Sequence, residues 1–410
     1  MRNHNDHQTA ITGLGCICSA GCDTDTLWQN LSQRTVNCRQ TPDPLFGPGW
    51  SAPLFSVENA WLERPLELFT LHGLAANRTI QLTLQAIHEA MVEAGLSLEF
   101  LQTQRVGIAL GTTVGCSFNN ETYYADWREG NTPEQAPIRQ YLEANLAETV
   151  QRILGIVGPR AVITNACASG TDAIGLAKIW LEQDLCDLVL AGGADEISRL
   201  ACHGFSSLML FSQKPCRPFD QGRDGLNLGE GAGILVMEKE ATARQRHATI
   251  LARVKGYGAA GDAYHPTAPH PQGRGLQQAI RQAMAEAEIS VRDIALINAH
   301  GTGTRANDQA ETTALHALGF QATQPAIIST KGLTGHTLGA AGAIEAILTI
   351  LALNHGYTTG TTGCSTPDPQ LPVTILPESA RATLTGSLGL SQSLAFGGNN
   401  AALVLAGREE

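Results

Sequence analysis

Two hydrophobic periods alternate along this chain. Short apolar runs lie at residues 106–110, 161–164, 188–191, 233–237, 294–298, 326–329 and 401–406. Between them come longer stretches in which apolar residues return every three or four positions, at 77–94, 169–183, 275–288 and 338–354. The first period predicts strands buried on both faces and the second predicts helices. Their alternation predicts an α/β fold with largely buried sheets. No low-complexity linker interrupts it.

The pattern also repeats. QAIHEAMVEAGLS at 85–97 matches QAIRQAMAEAEIS at 278–290 in eight of thirteen positions. Each copy leads to a β-like run that ends in a Gly/Thr loop, GIALGTTVG at 107–115 and ALINAHGTG at 295–303. Further on, AVITNACASG at 161–170 and AIISTKGLTG at 326–335 each read as strand, sharp turn and small-residue helix start. Three matches in one order predict two related halves, divided here as 1–250 and 251–410, with like elements ending at a shared centre.

Composition narrows the function classes. Only 16% of residues are charged and the net charge is −11 with five lysines, so no basic stripe exists to neutralise phosphates and nucleic-acid binding is not expected. No apolar run has the length expected of a membrane helix, and MRNHNDHQTAITGLG lacks the pattern of a secretory leader, so a cytoplasmic protein with ten reduced thiols is expected. Cys16, Cys18 and Cys22 have no second Cys/His pair at ligand spacing, and are read as small buried residues of a Gly-rich turn rather than as a metal site.

Four residues stand where chemistry is possible. Cys167, in TNACASG, falls between a strand and an Ala/Gly-rich helix, where backbone N–H groups and the helix dipole favour a thiolate and could hold an oxyanion. His300 ends an apolar strand in NAHGTGT, and His336 lies in STKGLTGHTLGAAG on the turn that mirrors the cysteine turn. Lys331, between an apolar strand and a glycine turn, needs a partner or a function, and the acidic candidates taken for it are Asp308 and Glu311.

TNACASG, DQGRDGLNLGEGAG at 220–233, NAHGTGT, STKGLTGHTLGAAG and SLAFGGNN at 393–400 together resemble the motif set of β-ketoacyl-acyl carrier protein synthases, of the elongating type with a Cys-His-His triad. The resemblance runs from ITGLG at 11–15 to the C-terminal strand. It implies a thiolase fold, two pseudo-symmetric halves in a five-layer α-β-α-β-α arrangement with a mixed five-stranded sheet in each half. It also implies a dimer paired through the strand before the nucleophile. In the implied reaction Cys167 takes an acyl chain from an acyl carrier protein, with the N–H groups of Cys167 and Phe396 as oxyanion hole. A malonyl unit then loses CO2, and its enolate, held by His300 and His336, attacks the Cys167 thioester. Lys331, Asp308 and Glu311 would steady the imidazoles. Thr302 and Thr304 would bind the phosphopantetheine arm, Phe396 would gate the site on a loop hinged at Gly397 and Gly398, and Val114 and Phe205 would line the substrate path. No metal or dissociable cofactor is implied, since the arm arrives with the carrier, and no membrane or nucleic acid is involved.

Some positions depart from the family pattern. APIRQYLEAN at 136–145 and Arg160 are unusual there, and lysines are scarce where carriers dock. These departures suit an accessory pathway such as polyketide or aryl-polyene assembly, with either a homodimer or a heterodimer with a related chain-length subunit. The alternative function is that of the non-catalytic chain-length partner itself, a subunit that lacks the nucleophile. A degradative thiolase would need a second cysteine where FGGNN stands, and an initiating synthase would need asparagine at His336.

Overall fold

A computed structural model describes residues 8–41, 51–64, 77–114, 121–135, 138–139 and 145–409. Ten strands form its main sheet: β1 (Thr9–Cys18), β2 (Val106–Gly111), β3 (Arg160–Ile163), β4 (Leu188–Asp195), β5 (Gly231–Lys239), β6 (Ala252–Gly261), β7 (Ile294–Asn298), β8 (Ala326–Ile328), β9 (Leu388–Leu394) and β10 (Asn399–Gly407). Their order is β8-β7-β9-β10-β6-β1-β5-β4-β2-β3. Read outward from the centre, β1-β5-β4-β2-β3 and β6-β10-β9-β7-β8 are one topology used twice. In each half the outer three strands are parallel and the inner pairings antiparallel. The two sheets of five implied by the family resemblance are joined into one by three antiparallel pairs, Thr9 with Val254, Ala10 with Arg253 and Ile11 with Ala252.

Helices make three further layers. Between the half-sheets lie α3 (Ser169–Glu182) and α7 (Ala341–His355), which pack on each other and on strands of both halves. Outside the first half lie α1 (Arg78–Glu93) and α2 (Leu146–Leu154), and outside the second α5 (Arg274–Glu286) and α6 (Arg305–Leu318), while α4 (Arg199–Ser207) shares a small apolar cluster with Leu338. Each interlayer space holds its own apolar core. The arrangement is the thiolase fold. The stretch Leu338–His355 has the length and apolarity of a membrane span, and 83% of it is buried inside the protein.

The repeat has a physical cause. A Cβ added at Gly13 or Gly15 of β1 would stand 2.1 or 1.9 Å from the carbonyl oxygens of Ala90 and Ala86 on α1. One added at Gly256 or Gly258 of β6 would stand 2.0 or 2.1 Å from those of Ala283 and Ala279 on α5. Bare glycine backbone lets each helix lie directly on its strand. The same glycines explain why β1 and β6 escape an apolar-run search, as does β9 with its serines and glutamine. Cys16 and Cys18 lie in β1 and not in a turn, and Cys22 follows it with its thiol donating to Asp23 at 3.4 Å. The nine described cysteines are all free thiols. Of the 136–145 segment only 138, 139 and 145 are described, and Gly115 lies outside the described residues. Arg160 is exposed at the start of β3 and donates to Gln151 at 3.0 Å.

Candidate active site

The nucleophile turn is made by small residues. After β3 the chain passes Ala166 at φ +47°, makes a 3-10 turn over Ala166–Ala168 and enters α3 at Ser169. The Ser169 hydroxyl locks the turn, accepting from the Asn165 N–H at 2.8 Å and donating to the Ala166 carbonyl at 2.6 Å. Cys167 is buried, with Sγ 3.0 Å from His336 Nε2. Burial pushes its thiol up to about 12, against the Lys331 charge and the Phe396 N–H, which pull it down. The thiolate expected from the helix start is thereby corrected. Loss of solvent outweighs dipole and cation, and the resting group is the neutral thiol.

His300 is held by its backbone and by its ring. Its own N–H and that of Gly301 donate to the Glu311 carboxylate at 2.6 and 2.8 Å, and Gln392 donates to the same carboxylate at 2.7 Å. Asp308 accepts from the N–H groups of Phe219 and Gly303 at 2.8 and 3.2 Å and pairs with Arg223 at 3.3 Å. Asp308 and Glu311 therefore fix the loop and do not touch the imidazole. The ring contact belongs to Lys331, whose Nζ lies 3.2 Å from His300 Nδ1. An ammonium can only donate, so Nδ1 accepts and the ring proton belongs on Nε2.

Lys331 is 1% exposed and its carboxylate partner is Glu345, also buried, rather than Asp308 or Glu311. Glu345 was legible as the lone acid in the otherwise apolar helix α7, where an acid needs a buried cation. Burial raises the carboxyls of Glu345 and Glu311 to about 7 and that of Asp308 to about 6.

His336 is aimed by the 220–233 stretch. Its N–H donates to the Asn227 carbonyl at 2.8 Å, and its carbonyl accepts from Gly229 at 3.0 Å. The two imidazoles meet edge to face with centroids 5.2 Å apart. Burial, reinforced by the Lys331 charge, holds both well below the usual histidine range, so both are neutral. Cys167, His300 and His336 each bring one donor atom to within 4.8 Å of the others, a set that could also ligate a soft cation.

The three open into a cavity of about 410 Å³ whose lining includes Phe205, Thr302, Thr304 and Phe396. Phe205 stacks on Phe396 at 5.2 Å and meets His336 edge-on at 6.4 Å. The Thr302 and Thr304 hydroxyls lie 2.9 Å apart. Gly397 and Gly398, at φ +86° and +77°, stand behind the wall: the Gly397 N–H donates to Pro266 at 2.7 Å and the Gly398 carbonyl accepts from Asp262 at 2.7 Å. Val114 is not part of this lining, and its N–H points to Asp195 at 3.4 Å. Glu345, Gln392, Arg223 and Asp195 are the site's neighbours that sequence reasoning did not single out.

Comparison with known proteins agrees with this geometry. Residues 6–243 match the family model for the N-terminal domain of beta-ketoacyl synthases, and residues 251–365 match that for the C-terminal domain. Over 407 residues the chain is 34% identical to the 3-oxoacyl-[acyl-carrier-protein] synthase 2 of Staphylococcus aureus (strain COL), spanning 97% of each. Among solved structures, a chain of the ishigamide ketosynthase/chain length factor superposes with a TM-score of 0.90 at 30% identity, covering 98% of this chain and 100% of that one. A chain of AntDE:AntF, a type II polyketide acyl-carrier protein in complex with its ketosynthase bound to the hexaketide, gives 0.88 at 25% identity with the same coverage.

Proposed function

The chain belongs to the β-ketoacyl synthase family, and from that membership we propose how its residues divide the condensing reaction. The observation that carries the proposal is one contact set at the bottom of an apolar cavity. It consists of the Cys167 thiol 3.0 Å from His336 Nε2, with His300 beside it and Lys331 on its far nitrogen.

In the first half-reaction Cys167 Sγ attacks the carbonyl of a carrier-borne acyl thioester while the thiol proton passes to His336 Nε2. The N–H groups of Cys167 and Phe396 receive the oxyanion, and the departing carrier thiol takes up the proton. In the second, the malonyl C–CO2 bond breaks and its electrons form an enolate. The His300 Nε2–H, fixed in that tautomer by Lys331, donates to the enolate oxygen, joined by His336 in the tautomer that carries its proton on Nε2. The enolate carbon then attacks the Cys167 thioester, a C–C bond forms, and the thiol is regenerated with a proton from solvent. Neutral imidazoles suit both tasks, because an imidazolium could neither accept the thiol proton nor leave the site uncharged for CO2 to depart.

Thr302 and Thr304 hold the phosphopantetheine arm delivered by an acyl carrier protein, and Phe396, Gly397 and Gly398 form the gate. Phe205 and Val114 bound the acyl path. The halves divide near residue 250, and the protein works in the cytoplasm. Strand β3 hydrogen-bonds only β2 among the described residues, and its free edge pairs across a two-fold with a second chain. That chain is a copy of this one or a related chain-length subunit, in a polyketide- or polyene-type pathway. Intact-mass measurement after incubation with an acyl-carrier thioester tests the reading: the acyl group should appear on Cys167. No adduct with any carrier or chain length would point to the non-catalytic partner role instead.

A further inference from the structure

Asp195 ends β4, is fully buried and has no place in the reaction steps above. Its carboxylate accepts from the Thr112 hydroxyl at 2.7 Å, the Thr113 N–H at 2.7 Å, the Val114 N–H at 3.4 Å and the Gly339 N–H at 2.7 Å. The first three belong to the loop after β2. The fourth lies three residues beyond His336. Four donors converging on one buried point require a group that only accepts, which an ionised carboxylate is and an amide is not.

Packing leaves the His336 turn little other freedom. A Cβ on Gly339 would stand 2.5 Å from Thr112 Cα and 2.7 Å from an Asp195 oxygen, and one on Gly193 would stand 2.4 Å from the Gly339 carbonyl oxygen. Leu338, between His336 and Gly339, sits at φ +54°, a left-handed conformation that a leucine keeps only where its surroundings impose it. The Gly339–Asp195 bond is the tether immediately after that strained residue. On the other side of the Thr112 loop, Ser169, two residues past the nucleophile, places its hydroxyl 3.4 Å from the Thr112 carbonyl.

We propose that Asp195 is a positioning residue for the condensation: its carboxylate ties the His336 turn to the Thr112–Val114 loop and holds His336 Nε2 on Cys167. The inference rests on the ketosynthase reading and adds to it a residue that touches no reacting atom. Burial raises the Asp195 carboxyl while its four donors pull it down, and in its ionised form it opposes ionisation of Cys167.

Asp195→Asn keeps the size and replaces one acceptor oxygen with a donor. The acylatable fraction of Cys167 is counted by intact mass, and kcat and KM for condensation are then expressed per acylatable site, with a short and a long acyl chain. The per-site kcat should fall by about tenfold or more for both chains, with KM for the malonyl carrier unchanged. The pH profile of Cys167 alkylation by iodoacetamide should move to lower pH because a nearby negative charge is gone. Asp195→Glu, which keeps the charge, should leave that profile in place and recover part of kcat. Should Asp195→Asn fold poorly, Thr112→Val carries the same readouts, with a severalfold kcat loss and no shift in profile. A kcat that falls only in proportion to the acylatable fraction, or an unchanged per-site kcat, in whichever variant folds, overturns the proposal. Acylation of the unmodified enzyme in the same experiment tests the ketosynthase reading separately.

Discussion

The nucleophile turn and the histidine turn are the same device used once in each half, and they differ in what the chain inserts and in what covers them. In the first, β3 leads through Ala166 at φ +47° into the 3-10 turn Ala166–Ala168 and then α3. In the second, Leu338 at φ +54° opens the 3-10 turn Leu338–Ala340 that runs into α7. Neither helix start has a side-chain cap; each is continued upstream by its 3-10 turn, with the Ser169 N–H donating to Ala166 and the Ala341 N–H to Leu338. The first connection is short and puts Cys167 on the turn itself. The second carries an extra helical turn, Lys331–Thr334, followed by His336, and so brings a cation and an imidazole where the first brings a sulfur. Every residue from 327 to 350 is buried, and the edge of β8 is covered by the Leu376 N–H donating to Ile327 at 2.9 Å. Residues 160–166 are partly open and the edge of β3 is bare among the described residues. One turn is covered within the chain, whereas the other is partly open. The sulfur sits on the partly open turn, and the fixed cation and imidazole on the buried one.

Changes to the two turns should therefore break different steps. Cys167→Ala should have the largest effect: no acyl adduct by intact mass and no condensation, with malonyl decarboxylation still detectable as released CO2. Loss of decarboxylation together with the fold would mean the sulfur is structural. His300→Ala should lower condensation on the order of 10²–10³-fold, as removal of one oxyanion donor does, while acyl-adduct formation in single-turnover assays falls less, whereas His336→Ala, which also removes the acceptor of the thiol proton, should lower both steps. Equal loss of both steps in His300→Ala would erase the division between them.

Lys331→Met should lower condensation by roughly 10- to 100-fold, the worth of one charge-assisted hydrogen bond of about 1.5–3 kcal/mol. Glu345, whose carboxyl burial already raises to about 7, should then remain protonated further into the alkaline range. The stability of this variant should accordingly fall as pH rises from the ordinary carboxyl range, about 4, up to that raised folded value, because in this window only the unfolded state has released the proton. Chemical denaturation at pH 6 and pH 9 measures it, and equal stability at both would show that Glu345 finds another cation.

The smallest effect is one of pH alone. Because burial pushes Cys167 up to about 12, its alkylation by iodoacetamide should keep rising through pH 7–9 with no plateau. A plateau reached below pH 8 would reveal a standing thiolate and make the nucleophile turn the electrostatically charged one after all.

Local chemistry and repeats were written in the chain. The eight-in-thirteen match between 85–97 and 278–290 announced two halves, because each helix must present Ala carbonyls to a glycine-notched strand. Small residues around Cys167 and the Gly/Thr loop at His300 marked the places where a site could form, since only such backbone leaves room for substrate. The apolar runs at 106–110, 188–191 and 294–298 lie within strands β2 and β4 and coincide with β7, because a strand buried on both faces must be continuously apolar. Tertiary structure decided what depends on distance through space. It joined the half-sheets through three pairs, chose Glu345 over Asp308 and Glu311 for Lys331, and sent those two acids to backbone N–H groups. It also overruled the helix dipole at Cys167 and brought Asp195 to a residue 144 positions away. Burial sets each of these outcomes, and burial is a property of the packed whole that no local stretch of sequence contains.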